Sequence, residues 1–222
     1  MTLWRVLFCA LLYPLVFTLL AVRLAFTEPF VEFLYRHVEL PPDPMPYELR
    51  LEIAKLGLRS VLFDEGMREF KSSGLFNPRE IKHMEDVKNL LSFFFTVLYI
   101  SLPLWLFTLL SLKSRKLIGK SLFFGSVMLE LFALLVVVLS FVNYEWLFVS
   151  FHNLFFDPYS WRFFDQDMLL RVYPMDFWYK ATIYTAVGLL GFNLLLQALG
   201  FYLWQAKSLF NKRQINRNSV GS

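Results

Sequence analysis

The 222-residue chain is 57% hydrophobic and 19% aromatic, with 26 phenylalanines and a formal net charge of +4. Its single cysteine, Cys9, excludes an internal disulfide and CxxC redox chemistry. The positive charge is concentrated beside apolar runs, so it reads as a membrane-topology signal and supports no nucleic-acid partner.

The first apolar run, residues 4–26, is long enough for a spanning helix, since about 20 residues cover a hydrocarbon core of roughly 30 Å. A cleaved secretory signal is the alternative, but the apolar stretch is long, Arg23 lies at its end, and no small-x-small cleavage site precedes Glu28. Pro14 is tolerable inside such a helix where neighbours re-satisfy the backbone. Cys9, near the expected cytoplasmic end, reads as structural and inert.

Residues 27–89 form the first polar segment. Phe30, Phe33, Leu34 and Val38 have helical spacing and end at Pro41-Pro42-Asp43-Pro44-Met45-Pro46, which no helix accommodates. His37, between Arg36 and Val38, reads as surface. Residues 47–59 read as a short amphipathic helix at the membrane, with Leu49, Ile53 and Leu56 on one face and Glu48, Glu52, Lys55 and Arg59 opposite. A turn follows at Ser72-Ser73-Gly74.

Asn77-Pro78-Arg79-Glu80 then combines a good N-cap residue, proline at the first helical position and glutamate at the third, the capping-box arrangement. The helix it starts runs through His83, Glu85, Asp86 and Lys88 into the second span, 90–112, which contains Pro103. His83 then stands about seven residues, roughly 10 Å, above the hydrocarbon edge. Asp86, three residues on, shares its helical face, either as a metal partner or as a carboxylate orienting the ring.

Lys113, Arg115, Lys116 and Lys120 fill the turn before the third span, 121–143. Within that span, Glu130 has two readings: an intramembrane functional acid, or a hydrogen-bond partner of Gln197 on the fourth span, with Asn193 one turn further out. The second polar segment, 144–180, is crowded with aromatics and carries Phe151-His152-Asn153-Leu154-Phe155-Phe156-Asp157, placing His152 at the depth expected for His83. Most of the aromatics read as interfacial belt and packing, and a subset as the lining of an acyl-chain groove. Two imidazoles at headgroup level on different helices suit proton transfer at a lipid ester. The fourth span, 181–204, leads to Lys207, Lys212, Arg213 and Arg217 and a polar, mobile tail at 218–222.

The basic residues flanking the spans at Arg5, 113–120 and 207–217 predict that both termini and the middle turn face the cytoplasm. Of the 18 acids, all but Glu130 fall in 27–89 and 144–180, as do all three histidines. The expected architecture is therefore an all-α polytopic membrane protein. Residues 1–222 form one integral membrane domain, with four transmembrane helices and two extracytoplasmic segments making a small membrane-surface subdomain.

The string Glu80-Ile81-Lys82-His83-Met84-Glu85-Asp86-Val87-Lys88 resembles a bacterial integral membrane family, the lipoprotein intramolecular transacylases Lit. So does Phe151-His152-Asn153-Leu154-Phe155-Phe156, with Trp161, Asp167, Leu169, Tyr173-Pro174 and Phe177 after it. The resemblance covers all four spans and both polar segments. It implies an acyltransferase of the bacterial cytoplasmic membrane whose partners are membrane lipids and a diacylated lipoprotein with a free N-terminal cysteine amine. The sn-2 acyl chain would move from the S-glyceryl ester to that amine, leaving a lyso-form lipoprotein, with His83 and His152 matching the family's catalytic histidines.

The residues agree with that chemistry. Ester and amine belong to one molecule, so attack needs no enzyme nucleophile and no cofactor, and proton traffic is what remains to be supplied. An α-amine of pKa about 7.7–8.0 is largely protonated near neutrality, and an imidazole near 6.5 can take its proton on attack. His83, held by Asp86, is the expected base. His152 is the expected donor, with Arg162, Lys88 or backbone amides as oxyanion donors. Two other classes remain open on the residues alone. His83, Asp86, His152 and Asp157 could bind zinc in a membrane ester hydrolase, although no HExxH spacing is present, or the chain could be a non-enzymatic lipid-binding subunit.

Overall fold

The computed structural model describes the backbone of residues 2–220 and the side chains of residues 3–205. Lys207, Lys212, Arg213, Arg217 and the 218–222 tail therefore lie outside the described side chains. The described chain is all-helical: α1 (Thr2–Ala25), α2 (Glu28–His37), α3 (Tyr47–Leu62), α4 (Asp64–Ser72), α5 (Pro78–Ser111), α6 (Arg115–Phe155), α7 (Met168–Val172) and α8 (Met175–Val220). Four stretches are long and apolar enough to cross a membrane: Leu3–Ala25, Pro78–Ser111, Arg115–Phe155 and Met175–Gln205. Each matches one of the runs seen in the sequence, with the first two runs reaching one residue further, to 26 and 112. Side chains such as Phe107 and Leu110, 74% and 71% exposed, suit contact with lipid.

Two compact units divide the chain. The first comprises residues 1–20, 98–135 and 187–222. Its helices are joined by polar contacts, as expected where lipid removes the hydrophobic driving force between helices. Tyr13 Oη donates to Asn193 Oδ1 (2.8 Å), Asn193 Nδ2 donates to the Ser126 carbonyl (3.0 Å), and Gln197 Nε2 donates to Glu130 Oε2 (2.8 Å). The interhelical reading of Glu130 is thus the one observed. Cys9 is fully buried, and its carbonyl accepts from Trp105 Nε1 (3.1 Å). Gly119 and Gly200 mark the close approach of α6 and α8, where a Cβ on Gly119 would lie 2.6 Å from the Gly200 carbonyl oxygen.

The second unit, residues 21–97 and 136–186, has its own core, which includes Leu34, Tyr35, Ala54, Phe70, Val172 and Phe177. α3 is the expected amphipathic helix, with Ile53 and Leu56 buried and Glu48 and Glu52 exposed, but its buried face is wider than expected and belongs to this core. Leu49, assigned to the apolar face, is 52% exposed, while Arg50, Ala54, Gly57 and Ser60 are buried. The reason is tertiary: Arg50 Nε donates to the Arg171 carbonyl (2.7 Å) and Nη1 to that of Pro41 (2.9 Å), so a cation is satisfied inside. Asp43 in the proline stretch accepts twice from Arg171 (2.7 and 2.8 Å), joining that stretch to α7. α4 was not foreseen; it ends at the Ser73-Gly74 turn, where Gly74 takes φ 69°. His37 is exposed, as expected, and stacks on Phe33.

Candidate active site

The predicted capping box forms. Asn77 Oδ1 accepts from the Glu80 amide (3.0 Å), and Glu80 Oε2 accepts from the Asn77 amide (2.7 Å). Glu80 is 1% exposed, and its Oε1 accepts from the Leu169 amide (2.6 Å), while Asp167 receives Asn77 Nδ2 (2.9 Å) and Arg79 Nη2 (3.2 Å). The start of α5 is therefore tied to the chain entering α7, and His83 follows Glu80 by one helical turn.

His152 reaches the site by a different device. α6 is broken at Asn143 (φ −162°, ψ 88°), whose Oδ1 accepts from the Trp146 amide (2.9 Å), so a new helical stretch is capped there and re-aimed. This break falls at the end of the sequence-derived third span. An asparagine between apolar residues, Val142-Asn143-Tyr144, is the signal the sequence reading passed over.

The two histidines come together, with ring centroids 5.8 Å apart and planes inclined by 27°. Aromatics enclose them. Phe156 and Phe163 lie edge-on to His83 at 5.0 and 5.4 Å, and Phe148 and Trp161 lie against His152 at 4.0 and 4.8 Å. His83 is 7% exposed and Trp161 8%, and His152 is half-buried, so the pair is recessed in an apolar surround.

His152 Nδ1 lies 2.8 Å from the Phe148 carbonyl. A carbonyl only accepts, so Nδ1 carries a proton and the ring acts through Nε2. His83 Nδ1, Arg79 Nε and Trp161 Nε1 are buried without a hydrogen-bond partner.

The supporting residues expected from the sequence are placed elsewhere. Asp86 does not hold His83; its Oδ1 accepts from Lys82 Nζ (2.6 Å), one turn away on the same helix face. Lys88 is paired with Asp64 of α4, an element the sequence reading lacked. Asp157 is exposed and closes a turn, accepting from the Tyr159 amide (2.8 Å). Arg162 is exposed, with its guanidinium carbon 5.4 Å from the Trp161 ring centroid. Among the described residues, His, Cys, Asp and Glu do not gather in threes that could hold a metal ion. The four-residue zinc set proposed as an alternative is not assembled, because both its carboxylates are committed elsewhere. Cys9 belongs to the other compact unit.

What this arrangement can do is proton transfer in an apolar site, by two imidazoles from different helices. Comparison with known proteins leads to the same family as the sequence motifs. The chain is 41% identical over 198 residues to an uncharacterized protein of Aquifex aeolicus (strain VF5), covering 86% of this chain and 90% of that one. Its fold matches the in meso structure of the membrane integral lipoprotein intramolecular transacylase Lit from Bacillus cereus, with TM-score 0.69, 21% identity, and coverage of 94% of this chain and 98% of that one. A histidine-to-alanine variant of the same Bacillus cereus protein matches with TM-score 0.61 and 19% identity, covering 94% and 96% of the two chains. Residues 6–178 match the sequence profile described as lipoprotein intramolecular transacylase Lit, and the chain belongs to that family.

Proposed function

We propose that the protein is an acyltransferase acting on diacylated bacterial lipoproteins. It moves the sn-2 acyl chain from the S-glyceryl ester to the α-amine of the N-terminal cysteine, giving the lyso form. The observation that carries this reading is the recessed pair His83 and His152, assembled from two helices inside an aromatic enclosure. The amine and the ester arrive together on one substrate, so holding them together replaces a covalent enzyme intermediate. His83 takes the proton released as the amine attacks. His152, with Nδ1 held by the Phe148 carbonyl, presents Nε2 to the departing glyceryl oxygen and, as imidazolium, supplies its proton. The rings reset by passing one proton from His83 to His152. No cofactor enters this scheme.

The chain acts as one integral membrane domain in the bacterial cytoplasmic membrane. Residues 27–89 and 144–180 lie on the extracytoplasmic side as a surface subdomain with the active site, and both termini are cytoplasmic. The supporting argument is the basic flank at 113–120, which carries no acids, against the concentration of acids in the two polar segments.

The test is incubation of the purified protein with a diacylated lipopeptide bearing a free N-terminus, measuring N-acyl product and free fatty acid side by side, with and without chelator. The reading requires N-acyl product that survives chelation and is absent when the amine is already acylated. Fatty-acid release from that blocked lipopeptide, stopped by chelator, would replace it with a metallohydrolase. Absence of either product would favour the lipid-binding subunit.

A further inference from the structure

Apart from Glu130 Oε1, the buried side-chain nitrogens and oxygens without hydrogen-bond partners among the described residues belong to Arg79, His83 and Trp161, all in the second unit. Of these, Trp161 Nε1 is the least expected, since a buried indole N–H ordinarily finds an acceptor. An indole nitrogen donates and never accepts, so whatever completes it must bring a lone pair. No acceptor among the described residues does so. The ring is fixed by packing against His152 at 4.8 Å and Phe148 at 6.4 Å, so the indole stands beside the histidine assigned to the leaving group.

Of the charged side chains near the pair, Arg79 is held through Nη2 by Asp167, though its Nε has no partner. Lys88 pairs with Asp64 and Lys82 with Asp86, while Arg162 lies over the indole face. A guanidinium over an aromatic ring draws electron density toward itself and makes the ring's N–H a stronger donor.

Building on the transacylation reading, we infer that Trp161 Nε1–H is the hydrogen-bond donor for the oxyanion that develops at the sn-2 carbonyl. The amine nitrogen attacks the carbonyl carbon; the C–N bond forms, the carbonyl π pair moves to oxygen, and the amine proton passes to His83. The oxygen accepts from Trp161 Nε1 while it carries the charge. On collapse the C=O bond re-forms, the bond from acyl carbon to glyceryl oxygen breaks, and that oxygen takes a proton from His152. Ester and amine become amide and alcohol, with nothing further consumed. A donor held rigidly by packing, in an enclosure that excludes water, needs no reorganisation at the moment of attack.

The test compares the wild-type protein with Trp161→Phe on two diacylated lipopeptides with free amines, one carrying the normal sn-2 ester and one its thionoester, whose sulfur is a poor hydrogen-bond acceptor. On the normal ester, Trp161→Phe should lose about 10²-fold in kcat with KM changed by less than about 2-fold. On the thionoester the loss should shrink to a few-fold. A kcat on the normal ester within about 3-fold of wild type would overturn the assignment. So would equal losses on the two substrates, which would mean that the ring matters for packing alone. If Trp161→Phe does not fold, site-specific replacement of Trp161 by its benzothiophene analogue, of the same shape but lacking the N–H, carries the same comparison. Failure of the wild-type protein to form any N-acyl product would instead overturn the transacylation reading and this inference with it.

Discussion

Glu80→Ala is the sharpest structural test of how the site is held. Glu80 is 1% exposed, and its carboxylate accepts from two backbone amides, Asn77 (2.7 Å) at the start of α5 and Leu169 (2.6 Å) at the start of α7. Truncation to alanine leaves both donors without their acceptor. A buried unmade donor costs about 1–3 kcal/mol, and loss of a helix-capping partner about 1 kcal/mol. Leu169 is 5% exposed and should bear the full cost, while the Asn77 amide is less enclosed, so the expected loss is about 2–4 kcal/mol. Glu80→Gln keeps the volume and one acceptor and should lose about half as much. Denaturant unfolding in detergent measures the totals. Hydrogen exchange locates them, and faster exchange should appear at the amides of 77–80 and 168–172. Because His83 lies one turn beyond Glu80, N-acyl product formation should fall in parallel. An alanine variant within about 0.5 kcal/mol of wild type, with unchanged exchange at Leu169, would refute the claim that this carboxylate ties the two segments together.

Other outcomes follow from the same geometry. His83→Ala and His152→Ala should each lower product formation by at least about 10²-fold. Because His83 is buried, the Gln variants are the cleaner comparison, and near-normal turnover in either would remove that residue from the mechanism. Cys9→Ala should retain activity, and intact mass during turnover should show no acylated protein; an acyl adduct on any side chain would sink direct transfer. The Arg171 guanidinium holds the Asp43 carboxyl down at about 2, below the ordinary 3.8, so its contribution to stability is fully present above about pH 4 and is lost as pH falls through 2. Asp43→Asn should therefore lower stability at neutral pH and flatten the acid limb between pH 4 and 2 in thermal unfolding, and an unchanged limb would remove that ion pair from the account.

Local chemistry settled much of this protein before folding is considered. Apolar run length determined the four candidate spans, because crossing a hydrocarbon core is a question of length and composition. The Asn77-Pro78-Arg79-Glu80 start of α5 was readable because a capping box is completed within four residues. His83 and His152 were picked out by their motifs and their equivalent positions at the outer ends of two spans. Their neighbours were not. Asp86 shares a helical face with both His83 and Lys82, and only the folded side chains show that it pairs with the lysine. Lys88 looked free because α4, which brings Asp64 to it, was absent from the sequence reading. Arg50 had no place in the helical faces read from sequence, yet carbonyls from 41 and 171 satisfy it inside the core. Which of the many aromatics enclose the histidines, and that Trp161 keeps an unpartnered N–H beside His152, were likewise decided by tertiary structure. Spans and caps depend on residues a few positions apart, whereas burial and pairing here depend on groups brought together across up to 180 positions of chain.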